Sequence, residues 1–424
     1  MTMVDSRGCA VSGATADALV AYEHAVDRLL SWRDDVEAPL ATALRAASRF
    51  TMAHVLQAYL CVCSRDQARV RSAARLLRRA GRLAADRREA AHLRTARFML
   101  AGDYAGAKAE LGALLAAVPR DALALHVAHL LDHWTGDVAA LHGRVAAVLP
   151  EWSGGDRGYH AVLAMHAFGL VEGGQPHHGE EVARAALALE PSDARAHHAM
   201  AHAFEASDRA EIGLRWMHAH AFGWERATPV ATHCWWHIAL FHLSLGDVNG
   251  ALNLYDQRVR AERSNGMADL IDAASLLWRI DLHGGDTGPR WSELAQAWAP
   301  HILDRHSSFS DIHAMLAFVG AHDWGLAEQL ESALKAARTT RTRYGETTRQ
   351  LGLRACRGLL AYGRENLALS IGLLGSLPAR LHRLGGSQAQ RDVLHLTLMR
   401  AVQRIRRPAG ATFTGRLTAM KAVS

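Results

Sequence analysis

The stretch ALALEPSDARAHHAMAHAFEASDRAEIG, residues 186–213, decides the fold. Pro191 ends one helical run, because a proline in a helix interior removes a hydrogen bond and clashes with the preceding turn. Asp193 follows, where its side chain is placed to cap the next helix. That helix is rich in alanine, the best helix former, and closes at the small polar turn ASD before another begins. Outward from this stretch the same turn recurs: AGDYAGA at 101, TGDVAAL at 135, GGQPHHG at 173, LGDVNGAL at 245, GGDTG at 284 and AHDWGLA at 321. The Pro-x-Asp entry also recurs, in VPRDALAL at 118. A period of roughly 33 to 39 residues with two helices in each is the signature of tetratricopeptide-like repeats.

The predicted fold is therefore all-α, an α-α superhelix of the tetratricopeptide-like solenoid type with extra capping helices at both ends. Residues 1–85 read as an N-terminal helical cap whose first 14 residues are disordered. Residues 86–330 read as the repeats, 331–407 as C-terminal helices, and 408–424 as a disordered tail rich in Gly, Thr and Ala. Half of the 424 residues are hydrophobic and 21% are charged, ordinary values for a globular chain. No segment reads as a signal peptide or a membrane span, so a cytoplasmic protein without a membrane partner is expected. Five cysteines without a C-x-x-C pair read as reduced thiols.

The net charge of +6 is concentrated in two arginine-rich stretches, Arg65 to Arg97 and Arg380 to Arg407. Both lack interleaved aromatics and read as amphipathic helices with arginine outside, so no nucleic-acid partner is expected. Neither a G-x-S-x-G, a P-loop nor a dinucleotide fingerprint is present, which removes the usual support for those enzyme classes.

Histidine carries the functional signal: there are 26, most of them between His92 and His322. On a helix His198, His202 and Glu205 share a face, as do His233 and His237. Aligning the units on Ser207, Gly246, Gly285 and His322 places His198, His237 and His313 nine positions before their turns, with Leu276 breaking the series. Thirteen before the turn come His233 and Asp272. The bland reading is that each imidazole is packed between helices on one backbone carbonyl. Against it, several imidazoles buried together compete for partners and cannot all be protonated.

Three chemistries suit the set. Acid/base work is preferred, with Glu205 or Asp272 orienting a ring. A metal site is the minor reading; His126, His129 and His133 also share a face, but H-E-x-x-H is absent and no resident cofactor is expected. Peptide recognition in the groove is the third. Trp236 lies closer to the His233/His237 face than Trp235 does and is a candidate stacking platform. Cys234 points about 100 degrees away from His233 and is a poor nucleophile candidate.

The runs MHAFGLVEGGQ, HCWWHIALFHLSLGDVNGALNLYDQRV, LIDAASLLWRIDL and SDIHAMLAF, with the stretch quoted above, resemble the tetratricopeptide repeat protein thirty-eight family over residues 86–330. WWHIALFH is the most specific piece. The resemblance implies an all-helical repeat fold and lends no settled activity. It carries over to His166, to His198, His202 and Glu205, to His233 and His237, to Asp256, to Asp269 and Asp272, and to Asp311 and His313. Ser310 stands where the family pattern has asparagine.

The functional expectation is an internal cavity that binds a small molecule and performs acid/base catalysis with His198, His202, Glu205, His233, His237, Asp272 and His313. His54, His166, Trp236, Asp256, Asp269 and Asp311 are expected to contact the ligand. The rival is a non-catalytic scaffold for a protein or peptide partner.

Overall fold

The computed structural model describes residues 3–64 and 66–406; the expected tail at 408–424 lies outside them. The chain is all-α and tetratricopeptide-like, with twenty-two α-helices among the described residues. The one strand pair there is Met3–Val4 with Ala10–Val11, antiparallel, Met3 opposite Val11.

The turn motif is a two-part device. Its first part is a residue in the left-handed region just after the first helix of each hairpin: Gly102, Gly136, Gly174, Asp208, Gly246, Gly284, His322 and Glu365. Such a residue satisfies the helix's last carbonyls and reverses the chain. The second part is an N-cap on the next helix: Asp103, Asp137, Asp247 and Asp323 each accept the backbone N–H three residues on. Asp121 and Asp193, the aspartates of the Pro-x-Asp entries, cap the opening helices of their hairpins.

These left-handed residues correct the predicted register. Asp208, Gly246, Gly284 and His322 are evenly spaced, 38 apart. Nine positions before them stand Ala199, His237, Ser275 and His313, so the series holds two histidines and a serine. His198 is one residue off it, and Asp272 is one residue off the position of His233. The small polar turns contain two adjacent candidates for the reversing residue, and only backbone dihedrals separate them.

The chain forms two compact units, Met1–Ser207 with Met217–Ala231, and Asp208–Trp216 with Thr232–Ser424. The division falls inside the expected repeat block. The hairpins also continue past residue 330. Leu353–Gly363 and Leu367–Leu374 are joined by left-handed Glu365 and capped by Asn366.

In the first unit the N-terminal residues do more than cover the first hairpin. Helix Ala16–Leu30 packs on Ala122–Thr135. Its following segment reaches the last hairpins: the Ala194 N–H donates to the Ser31 carbonyl, Arg195 Nε to the Leu30 carbonyl at 3.2 Å, and Arg33 Nη1 to the Arg226 carbonyl at 3.2 Å. Residues 3–14, expected to be disordered, are tied down instead. Arg7 pairs with Asp27 at 2.9 Å, Arg88 donates to the Ala10 carbonyl, and the Ser12 N–H donates to Glu89.

In the second unit, helix Gln388–Arg406 packs in the same spirit on Met267–Leu282, with Trp278 Nε1 donating to Thr397 Oγ1 at 2.8 Å. In the arginine-rich helix Gln67–Ala80, Ala73, Leu77 and Ala80 are buried while Arg71, Arg75, Arg78 and Arg79 face solvent, as read from the sequence. Among the described residues no helix is long and apolar enough to cross a membrane.

Candidate functional site

In the first unit the site builds on helix Ala194–Ala206. Alanines at 194, 196, 199, 201 and 203 are all fully buried, so neighbouring backbones approach closely around the larger buried side chains between them, among them His198 and His202. His198 and His202, one turn apart, bring their Nε2 atoms within 3.0 Å, one donating and one accepting, with ring centroids 4.5 Å apart. Phe168 of helix Tyr159–Glu172 stacks on His198 at 5.4 Å and meets His202 edge-on at 5.1 Å. Trp32 closes the other side of His198 at 5.3 Å and carries the Arg195 guanidinium on its face.

A carboxylate from a neighbouring helix, Glu172, places its Oε1 3.5 Å from His202 Nδ1. Glu205, the predicted partner, is half-buried a turn further along the same helix. Glu172 ends its own helix, where the macrodipole disfavours an anion. That mismatch was the available signal for it.

In the second unit helices Ala231–Ser244 and Met267–Leu282 supply the cluster. The Asp272 carboxylate lies 2.9 Å from His233 Nδ1. An ionised carboxylate only accepts, so Nδ1 carries the hydrogen. Trp236 lies parallel to the His233 ring at 5.1 Å and edge-on to His237 at 4.9 Å, and the Arg279 guanidinium sits 5.4 Å over it. Trp236 is wholly buried, so it serves as a wall of the cluster where a stacking platform for a ligand was expected. His237 crosses His233 at 4.8 Å. Burial above all, then the charges of His233 and Arg279, hold His237 well below the usual imidazole range. His313 donates from Nδ1 to the Phe309 carbonyl at 2.8 Å. Burial pushes it down to about 4, opposed by that carbonyl; Arg279 lowers it further and Asp272 raises it.

The other expected residues are engaged elsewhere. His54 bonds the Ser48 carbonyl through Nε2 at 2.9 Å, and His166 stacks on His142 at 5.2 Å. Asp256 sits in a π-helical turn, Tyr255–Val259, and forms a two-pronged pair with Arg290, 2.7 Å on each prong, on an exposed surface. Asp269 lies in the first turn of its helix, where the macrodipole favours an anion. Asp311 accepts from Tyr344 at 2.9 Å, and burial raises its carboxyl to about 7. His126 faces the Arg195 guanidinium at 2.9 Å, and His129 bonds the Met165 carbonyl. Cys234 is buried with its thiol pushed far up, which removes it as a nucleophile at neutral pH.

No known family profile matches the chain. Among solved structures it is similar to the human IFIT1 dimer with m7Gppp-AAAA at a TM-score of 0.46 and 12% identity, over 92% of this chain and 87% of that one. A monomeric IFIT1 mutant with Gppp-AAAA gives 0.45 and 12%, over 92% and 88%. Likeness at this level carries nothing about ligand or chemistry.

Sequence reasoning missed Glu172, Phe168 and Trp32 in the first unit and Arg279 in the second. Each unit thus holds a helical i, i+4 histidine pair walled by aromatics, with a carboxylate from a neighbouring helix at one Nδ1. Such an arrangement fixes a ring tautomer and presents Nε2 to a reacting group.

Proposed function

We propose that this chain is a tetratricopeptide-like helical repeat protein that binds a small polar molecule at its buried histidine clusters and works on it with imidazole as proton acceptor. The observation that carries the reading is the bond from half-buried His233 to buried Asp272 beside buried His237. Burying a polar group costs free energy unless it is partnered, and leucine fills a helix–helix interface without that penalty. Repeated burial of this kind in the interior marks function. His233 is the base, oriented by Asp272; His237 and His313, kept neutral by burial, accept hydrogen bonds from the ligand. His198 and His202 play the matching parts in the first unit.

The resemblance to the tetratricopeptide repeat protein thirty-eight family belongs to this reading, since the motif residues it carries over include both histidine pairs and Asp272. A cytoplasmic setting belongs to it as well. The test is a thermal-shift screen of polar metabolites on wild-type protein and on His237→Ala. A compound that raises the wild-type melting temperature and leaves the variant unmoved supports the proposal. Stabilisation only by peptides or oligonucleotides, equal in both proteins, replaces it with a scaffold.

A further inference from the structure

We propose that the histidine pair of each unit, His198/His202 in the first and His233/His237 in the second, supplies ligands for a divalent transition metal ion through Nε2, with Glu172 and Asp272 holding the Nδ1 edges of His202 and His233. The inference rests on the reading above that these pairs are functional, and it names the cofactor class they would take.

The geometry within each unit motivates it. The Nε2 atoms of His198 and His202 stand 3.0 Å apart. Two nitrogens each about 2.0–2.1 Å from a zinc ion, at bond angles of about 90–110 degrees, are about 2.9–3.4 Å apart. The second pair repeats the arrangement: ring centroids 4.8 Å apart crossing at 78°, against 4.5 Å and 77° in the first.

The outer partners match as well. Histidine ligands of metals nearly always donate the other ring N–H to a carboxylate or carbonyl, which fixes the tautomer and raises basicity. Asp272 at His233 Nδ1 has that geometry, and Glu172 approaches His202 Nδ1. An all-imidazole donor set without thiolate suits zinc, copper or nickel over calcium or magnesium.

The test uses the untagged full chain purified without chelators. Its metal content is measured by plasma mass spectrometry, and the stripped protein is then titrated with cobalt(II) and followed by visible absorption. At least one equivalent of metal per chain is expected. His202→Ala and His237→Ala should each bind cobalt more than tenfold more weakly, Asp272→Asn roughly 10–100-fold more weakly, and exposed His177→Ala like wild type. Circular dichroism checks that each variant is folded. Wild-type protein that takes up no cobalt overturns the proposal whatever the variants do, as do folded variants that titrate like wild type. Metabolite binding that survives without metal sinks only the metal, whereas metal uptake without metabolite binding sinks only the small-molecule reading.

Discussion

His233 and Asp272 occupy successive opening helices of the second unit, and their side chains meet at 2.9 Å although 39 residues separate them. The bond joins neighbouring hairpins through a charged group that is almost fully buried. Removing one partner of such a pair leaves the other without its counter-group, at about 3–5 kcal/mol. His233→Ala, which strands the buried Asp272 carboxylate, should therefore lower the urea midpoint markedly. The double variant His233→Leu with Asp272→Leu should recover most of the loss, because neither polar group is then stranded. A double variant as unstable as the sum of the singles would show that the bond is not the coupling.

The titration of two groups gives slopes of opposite sign. His313 is held at about 4 in the fold, below its ordinary value of about 6.5. As pH falls from 6.5 towards 4 the unfolded chain takes up a proton that the folded chain refuses, so stability is lost through that window at about 1.4 kcal/mol per pH unit. His313→Gln should flatten the fall. Asp311 is raised to about 7, so between about 4 and 7 the unfolded chain releases a proton that the folded chain keeps, and stability declines as pH rises. Asp311→Asn should leave the midpoint at pH 4 nearly unchanged and raise it at pH 8. Urea unfolding across pH 4–8 measures both.

The caps differ in what else they hold. Asp323 caps its helix through the Leu326 N–H alone among the described bonds, and Asp323→Ala should cost about 1 kcal/mol. Asp121 caps too, but it is buried and also accepts from Arg88 at 2.8 Å and His92 at 2.9 Å. Asp121→Ala should cost about 3–5 kcal/mol, since it strands a buried guanidinium. Chemical denaturation of the two variants side by side checks the contrast.

The repeat grammar was legible because it is local. A proline, an aspartate cap and a reversing glycine act within a few residues, so the hairpins over 86–330 follow from spacing alone. The hairpin at 353–374 escaped because Glu365 and Asn366 stand where Gly and Asp stand elsewhere, and glutamate is a costly choice for a left-handed backbone. The helical-face argument found both histidine pairs for the same reason, since i, i+4 neighbours meet by helix geometry. Glu172 and Asp272 come from other helices at separations of 30 and 39 residues, which helix periodicity does not reach. The placement of the N-terminal helix across later hairpins was equally out of reach. It depends on long-range partners such as Arg33 with Arg226 and Arg195 with Leu30.

The central claim is that the buried histidines are kept for binding at the expense of stability, and His237→Leu tests it most directly. A buried imidazole replaced by an apolar side chain of similar bulk removes a group that burial disfavours. The account predicts a melting temperature equal to or above that of wild type, together with loss of the stabilisation that bound metabolite or metal confers on wild type. A drop worth several kcal/mol with ligand stabilisation intact would contradict it and return His237 to the structural core.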